Sequence, residues 1–214
     1  MPKTIRNKYE ENLTYEKLML AHNESQKGKG YRKEIIEFNL KQEEYIMWLL
    51  EKLKTKTYKH GGYKEFYVTE PKVRKIEKSK YIDRIVHRWI LDQFLKEYFE
   101  TTFIQTTYAC IKNRGMHKAC LDVQNAMKHC KRIWGNYYIL KMDVRKYFDS
   151  IDKDILYRIL SRKIQDYKLL KIIKQIVYST EGKKGQPIRK LHVSNICQYI
   201  FKRSGPIHKI PTKM

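Results

Sequence analysis

Apolar residues recur at helical spacing along most of this chain. The widest stripe runs over residues 81–99, through Ile82, Ile85, Val86, Trp89, Ile90, Phe94, Leu95 and Phe99, and predicts a helix. Residues 34–54 predict one long helix through Ile35, Phe38, Tyr45, Trp48, Leu49 and Leu53. Residues 13–21 predict a short helix with Leu13, Lys17, Leu20 and Ala21 near one face. Residues 117–132 are amphipathic through Ala119, Val123, Ala126 and Met127. Residues 168–178 turn Leu169, Ile172, Ile173, Ile176 and Val177 inward. Strand patterns are fewer. Residues 65–70 alternate and stop at Pro71, and a basic strand over residues 72–78 completes a hairpin. Residues 137–142 form an apolar, aromatic-rich run of strand length that ends in Asp143. Asp152 stands where an N-cap belongs for a helix over residues 155–164. The glycines of residues 26–30, 61–62 and 181–185 mark loops, and residues 103–113 read as irregular. Helices, a hairpin, helices, a strand and helices again make an α+β chain.

Charge narrows the partner. The 214 residues carry a formal net charge of +23 and are 42% hydrophobic, enough for a core. A charge of that size repels itself unless a polyanion neutralises it, which puts nucleic acid first and an anionic membrane surface second. No apolar run approaches the roughly 18 residues that a membrane span needs. The first residues have no apolar stretch of signal-peptide type, so a cytoplasmic location is expected.

Candidate chemistry centres on residues 137–152. A carboxylate at a strand end, with its backbone held rigid, suits a hard metal ion, and Asp143 has that place. Asp152 reads as a helix cap rather than a ligand. In the hairpin, alternation sends Lys72 and Arg74 to one face. Paired cations of this kind clamp phosphates or, equally, protect an edge strand from pairing. The glycines of residues 26–30 lack the strand and the GK[ST] ending of a phosphate loop. Cys110, Cys120, Cys130 and Cys197 form no CxxC pair and read as reduced, partly buried thiols. His117 and His129 read as surface or capping residues.

Four blocks, in one order, resemble the reverse transcriptases of bacterial group II introns, retrons and diversity-generating retroelements. Phe66-Tyr-Val-Thr-Glu-Pro71-Lys72-Val-Arg74-Lys-Ile76 resembles the fingers hairpin. Tyr81-Ile-Asp83-Arg84-Ile-Val-His87 resembles the segment after it. Residues 108–119 resemble the "SYA…GKG…A" block. Leu140-Lys-Met-Asp143-Val-Arg-Lys-Tyr-Phe148-Asp-Ser-Ile-Asp152 resembles the first catalytic motif of the palm. The likeness covers residues 10–188. It implies a right-hand polymerase with an N-terminal helical extension (1–62), fingers (63–135) and a partial palm (136–188). It implies that Asp143 binds Mg²⁺, that the Val144 carbonyl reaches the second metal and that Phe148 screens the ribose 2′ position. Lys72 and Arg74 would contact the incoming deoxynucleoside triphosphate, and Gln186, Pro187 and Ile188 would lie near the nascent base pair. An RNA template, a DNA primer and an element-encoded RNA or accessory protein are the implied partners, with no membrane.

After Ile188 the likeness stops. The family continues with a "GN..SQ..AN" pattern and then a YxDD hairpin that supplies the other carboxylates, whereas residues 189–214 are basic and contain no Asp-Asp pair. With the wobble bases left free, residues 189–214 can be encoded so that dropping one base yields GNFMSQIFANIFLNEVDQYIKYQLK, which restores the pattern. The expectation is a one-base shift after Ile188, an aberrant tail over 189–214, and a chain that by itself does not polymerise. The alternative is a non-catalytic RNA-binding module. A basic protein with no nucleic-acid role is the blandest reading, and a salt-independent interaction would mark it.

Overall fold

The computed structural model describes residues 4–71, 73–101, 103–109 and 111–185. They fall into two compact units, one running through Tyr98 and resuming at Phe148, the other spanning Phe99–Tyr147. The secondary structure is α+β, with many helices and a single two-stranded sheet among the described residues.

The first unit opens with α1 (Tyr9–Asn12), α2 (Tyr15–Gln26), α3 (Lys33–Leu40) and α4 (Gln42–Lys54). Thr14 caps α2 by accepting from the Lys17 amide. Leu18, Ala21 and His22 face the core, while Leu20, expected inward, is exposed. The single helix expected over residues 34–54 is broken at Lys41, whose backbone leaves helical geometry at φ −135° and ψ 34°. Leu40, Lys41 and Gln42 offer nothing apolar to the core (Leu40 is 80% exposed), so the break forfeits no packing. Ile46, Leu49, Leu50 and Leu53 are then buried, and the expected Tyr45 and Trp48 are left exposed.

Next come β1 (Tyr63–Val68) and β2 (Arg74–Ser79), paired antiparallel from Tyr63↔Ser79 to Val68↔Arg74. The long apolar stripe forms α5 (Tyr81–Ile90), a π-helical turn over Leu91–Leu95, and α6 (Lys96–Glu100). The wider turn brings Ile90, Leu91, Phe94 and Leu95 all into the core. Trp89 is fully buried at the centre, with its indole N–H donating to the Asn12 carbonyl at 2.8 Å. Tyr9 packs edge-on against it and donates to the Leu53 carbonyl at 2.9 Å.

From Phe148 onward the first unit contains most of α8 (Tyr147–Ser150), then α9 (Lys153–Ser161) and α10 (Tyr167–Val177). Asp152 caps α9 through the Asp154 and Ile155 amides, as its position in the sequence suggested. Asp166 caps α10 and also accepts from the Tyr9 amide at 2.9 Å, tying α1 to α10. Ile5 bonds to both sides of Ile164, giving and taking one backbone hydrogen bond there.

Among the described residues the second unit consists chiefly of α7 (Met116–Trp134) and the turn-rich chain around it. Local polar contacts hold it. Arg114 donates to the Gln105 carbonyl at 3.0 Å, and the Tyr108 hydroxyl donates to Asp122 at 2.7 Å. No side chain of α7 is buried, and His117 and His129 are exposed. Among the described residues no helix is long and apolar enough to cross a membrane.

Candidate functional site

The strand expected over residues 137–142 does not form. Residues 137–144 have no regular structure, and the sheet comprises β1 and β2 only among the described residues. A strand obtains its hydrogen bonds from a neighbour, and this run has no ladder partner there. Its apolar side chains are correspondingly bare, with Tyr138 fully exposed and Ile139, Leu140 and Met142 mostly so.

Asp143 and Val144 stand at the end of this run, both exposed, in the second unit. Phe148 sits in α8 of the first unit and is half-buried. Arg74 opens β2 opposite Val68. Lys72, Gln186, Pro187 and Ile188 lie outside the described residues, as do Cys110 and Cys197. Among the described residues no three His, Cys, Asp or Glu side chains are grouped to hold a metal. Cys120 is exposed and Cys130 half-buried, both free thiols, so the expectation of partial burial holds only for the second.

The hairpin is the best-built cationic feature. By register, Lys64, Phe66 and Val68 share one face with Ile76 and Lys78, and Tyr63, Glu65 and Tyr67 share the other with Lys75, Glu77 and Ser79. Lys75 crosses diagonally to Glu65 at 2.6 Å. Lys78 reaches Glu34 of α3 at 2.8 Å, and the same carboxylate oxygen takes Arg84 of α5 at 2.5 Å. These two cations hold the Glu34 carboxyl below its ordinary range, against the opposing effect of its partial burial.

A second cluster grips the base of the hairpin. Asp83, 1% exposed, accepts from the Tyr58 hydroxyl at 2.7 Å and from the Gly61 amide at 3.1 Å. One turn further along α5, His87 meets His60, Nε2 to Nε2, at 3.2 Å. The Tyr63 hydroxyl reaches Ser179 at 2.7 Å. Burial, then the Asp83 charge, drives the Tyr58 phenol far above its usual range. Gly61 is required where it stands, because a Cβ there would lie 2.9 Å from the Asp83 carboxylate. Sequence pattern placed Asp83 only as an acid near a helix start. Its partners are 22 and 25 residues away, beyond any local periodicity. The paired glycines at 61–62 were the one visible signal of a close approach.

Lys153 is a further buried cation the pattern did not disclose. Its ammonium donates to the carbonyls of Thr180, Glu181 and Gly182 at 2.5, 3.1 and 2.7 Å, pinning the loop after α10. Burial pulls its pKa down. No family model matches this chain, and no curated protein matches it.

Proposed function

We propose that this chain is the fingers and partial palm of an RNA-directed DNA polymerase, which binds an RNA template and its primer through cationic surface. The observation that carries the reading is the sequential order of the four blocks, with a cationic hairpin (β1–β2) leading directly into the helix that begins at Tyr81. In this reading Arg74, with Lys72, faces the triphosphate of the incoming nucleotide, Phe148 screens the 2′ position, and Gln186, Pro187 and Ile188 border the new base pair. The protein is cytoplasmic in this reading, and its partners include an element-encoded RNA or accessory protein.

The metal chemistry is incomplete. Two hard cations need several carboxylate oxygens between them. Asp143 and the Val144 carbonyl are the ligands the likeness implies for Mg²⁺, and among the described residues no three His, Cys, Asp or Glu side chains are grouped to hold a metal. Asp143 and one carbonyl do not fit a two-metal centre by themselves. The chain by itself is expected to bind RNA and not to extend a primer.

Asp143→Ala tests the division. RNA affinity, with a steep inverse dependence on salt, should survive the substitution, and primer extension should be absent before and after it. Extension that depends on Asp143 would overturn the claim of inactivity. RNA affinity indifferent to salt would overturn the nucleic-acid reading altogether. The second reading is a non-catalytic RNA-binding module. It is distinguished by supplying a separate polypeptide with the missing carboxylates. Activity restored in that mixture identifies a polymerase half.

A further inference from the structure

We propose that Asp83, His87 and His60 form a proton-sensitive clamp that positions the β1–β2 hairpin. The functional weight of this inference rests on the reading of that hairpin as polymerase fingers. The clamp itself rests on geometry. Residues 55–62 link α4 to β1, and three contacts grip them within four positions: Tyr58 and Gly61 on Asp83, and His60 on His87. Asp83 and His87 are four residues apart on α5, so they present one face of a helix whose other buried residues, Tyr81, Ile85, Val86, Trp89 and Ile90, are fixed in the core. The hairpin is thus hung from a rigid element at its first strand, and from Glu34 through Lys78 at its second.

The histidine pair supplies the sensitivity. The rings are inclined by only 15° and their centroids are 5.2 Å apart, 2.0 Å more than the 3.2 Å between the Nε2 atoms. The rings therefore meet edge to edge through those nitrogens. One Nε2 must donate and the other accept. A pair that is neutral, or that carries one added proton on the donor ring, keeps the bond. A second added proton would set N–H against N–H and place two like charges together. The other titratable groups around the linker are Asp83 on α5, Tyr58 on the linker itself, Lys80 beside Gly61, Tyr63, whose hydroxyl lies 3.4 Å from the His60 Nε2, and Glu77 on the hairpin, with Lys153 feeling Glu77. The clamp is closed while the pair carries at most one added proton and opens when acid drives in the second.

Amide hydrogen exchange on the full chain tests this. Asp83→Ala should raise exchange across residues 55–79 about tenfold and leave α10 unchanged, since a hydrogen-bonded buried carboxylate is lost from one place only. Asp83→Asn keeps an acceptor oxygen for Tyr58 and Gly61 and should restore most of the protection. In the unaltered chain, hairpin protection should fall in a step as pH is lowered toward 5, and His60→Gln should abolish that step. Should Asp83→Ala fail to fold, the pH step and its loss in His60→Gln decide alone. Equal loosening of α10 and the hairpin, or a pH step that persists in His60→Gln, would overturn the clamp. RNA affinity of Asp83→Asn and Asp83→Ala separates the two claims. A loosened hairpin with undiminished RNA binding leaves the clamp standing and removes the fingers reading.

Discussion

Two helices with similar sequence patterns have opposite fates in this molecule. In α10, Leu169, Ile172, Ile173, Ile176 and Val177 form an apolar stripe, and every one of them is buried. In α7, Ala119, Val123, Ala126 and Met127 form a comparable stripe, and none is buried. Both sequences satisfy the helical period. What differs is the neighbour. α10 packs on α9 and is capped by Asp166, which the Tyr9 amide also holds. α7 follows an uncapped Gly115 and lies in a unit held by local polar contacts. Periodicity specifies which face a helix can bury, and the rest of the fold decides whether it does.

The largest expected effect follows directly. Ile173 is fully buried, so Ile173→Ala should cost about 3 kcal/mol through lost transfer energy and the cavity left behind. Val123 is 53% exposed, and Val123→Ala should change stability by less than about 0.5 kcal/mol. Urea unfolding of the two variants measures both. Comparable losses would mean that α7 has a buried face after all. Limited trypsin digestion sharpens the same contrast, since Lys128, Lys131, Arg132 and Lys141 should be cut before any site in α10.

The contrast also explains which parts of the fold could be read from the sequence. The α10 stripe and the caps at Asp152 and Thr14 are local signals, and the structure agrees with the first two as expected. The hairpin was legible because alternation and Pro71 bracket it within a dozen or so residues. The run at 137–142 has the composition of a strand and forms none, because a strand also needs a hydrogen-bonding partner elsewhere in the chain. The break at Lys41 was missed because a helix can end wherever nothing apolar must face inward, and periodicity carries no mark of that. Of the candidate site, the hairpin's charge was visible in the residues themselves. The Asp83 clamp, which joins a linker to a helix across more than twenty residues, was not.

A middle-sized effect concerns the tyrosines of the first unit. Burial raises the phenol pKa of Tyr58, Tyr9 and Tyr63, and pushes Tyr81 up to about 12. The folded pKa values lie above those of the unfolded chain, so stability from these groups is complete below about pH 10. It is lost as pH rises from there through the folded values, because the unfolded chain releases its phenolic protons first. Alkaline unfolding should accompany the rise of tyrosinate absorbance, and Tyr58→Phe should shallow the slope of stability against pH. At neutral pH the same variant should cost about 1.5–3 kcal/mol, since the Asp83 carboxylate stays buried with one fewer donor. An unchanged alkaline slope would mean that Tyr58 ionises as freely in the folded protein as out of it.

The smallest expected effect is a gain. Gly115 has the extended backbone of an N-cap, φ −155° and ψ −172°, yet offers no side chain to the first amides of α7. The space around it is open, with nothing within 4 Å of an added Cβ. The first turn of α7 also carries no acid to meet the positive end of the helix dipole. Gly115→Asp supplies both the cap and the charge, and should stabilise α7 by about 0.5 kcal/mol. Amide exchange at residues 116–119 should slow by about twofold, with α10 untouched. Such a small gain is informative because of where it appears. In a helix already fixed by a buried face, a better cap is absorbed into the global stability and is felt throughout the unit. In a helix that stands on its own local bonds, it is felt in its own first turn. Slowing that spreads into α9 and α10 would show that the two units share their cooperativity, and that the exposed stripe of α7 is stabilised by more than its local contacts.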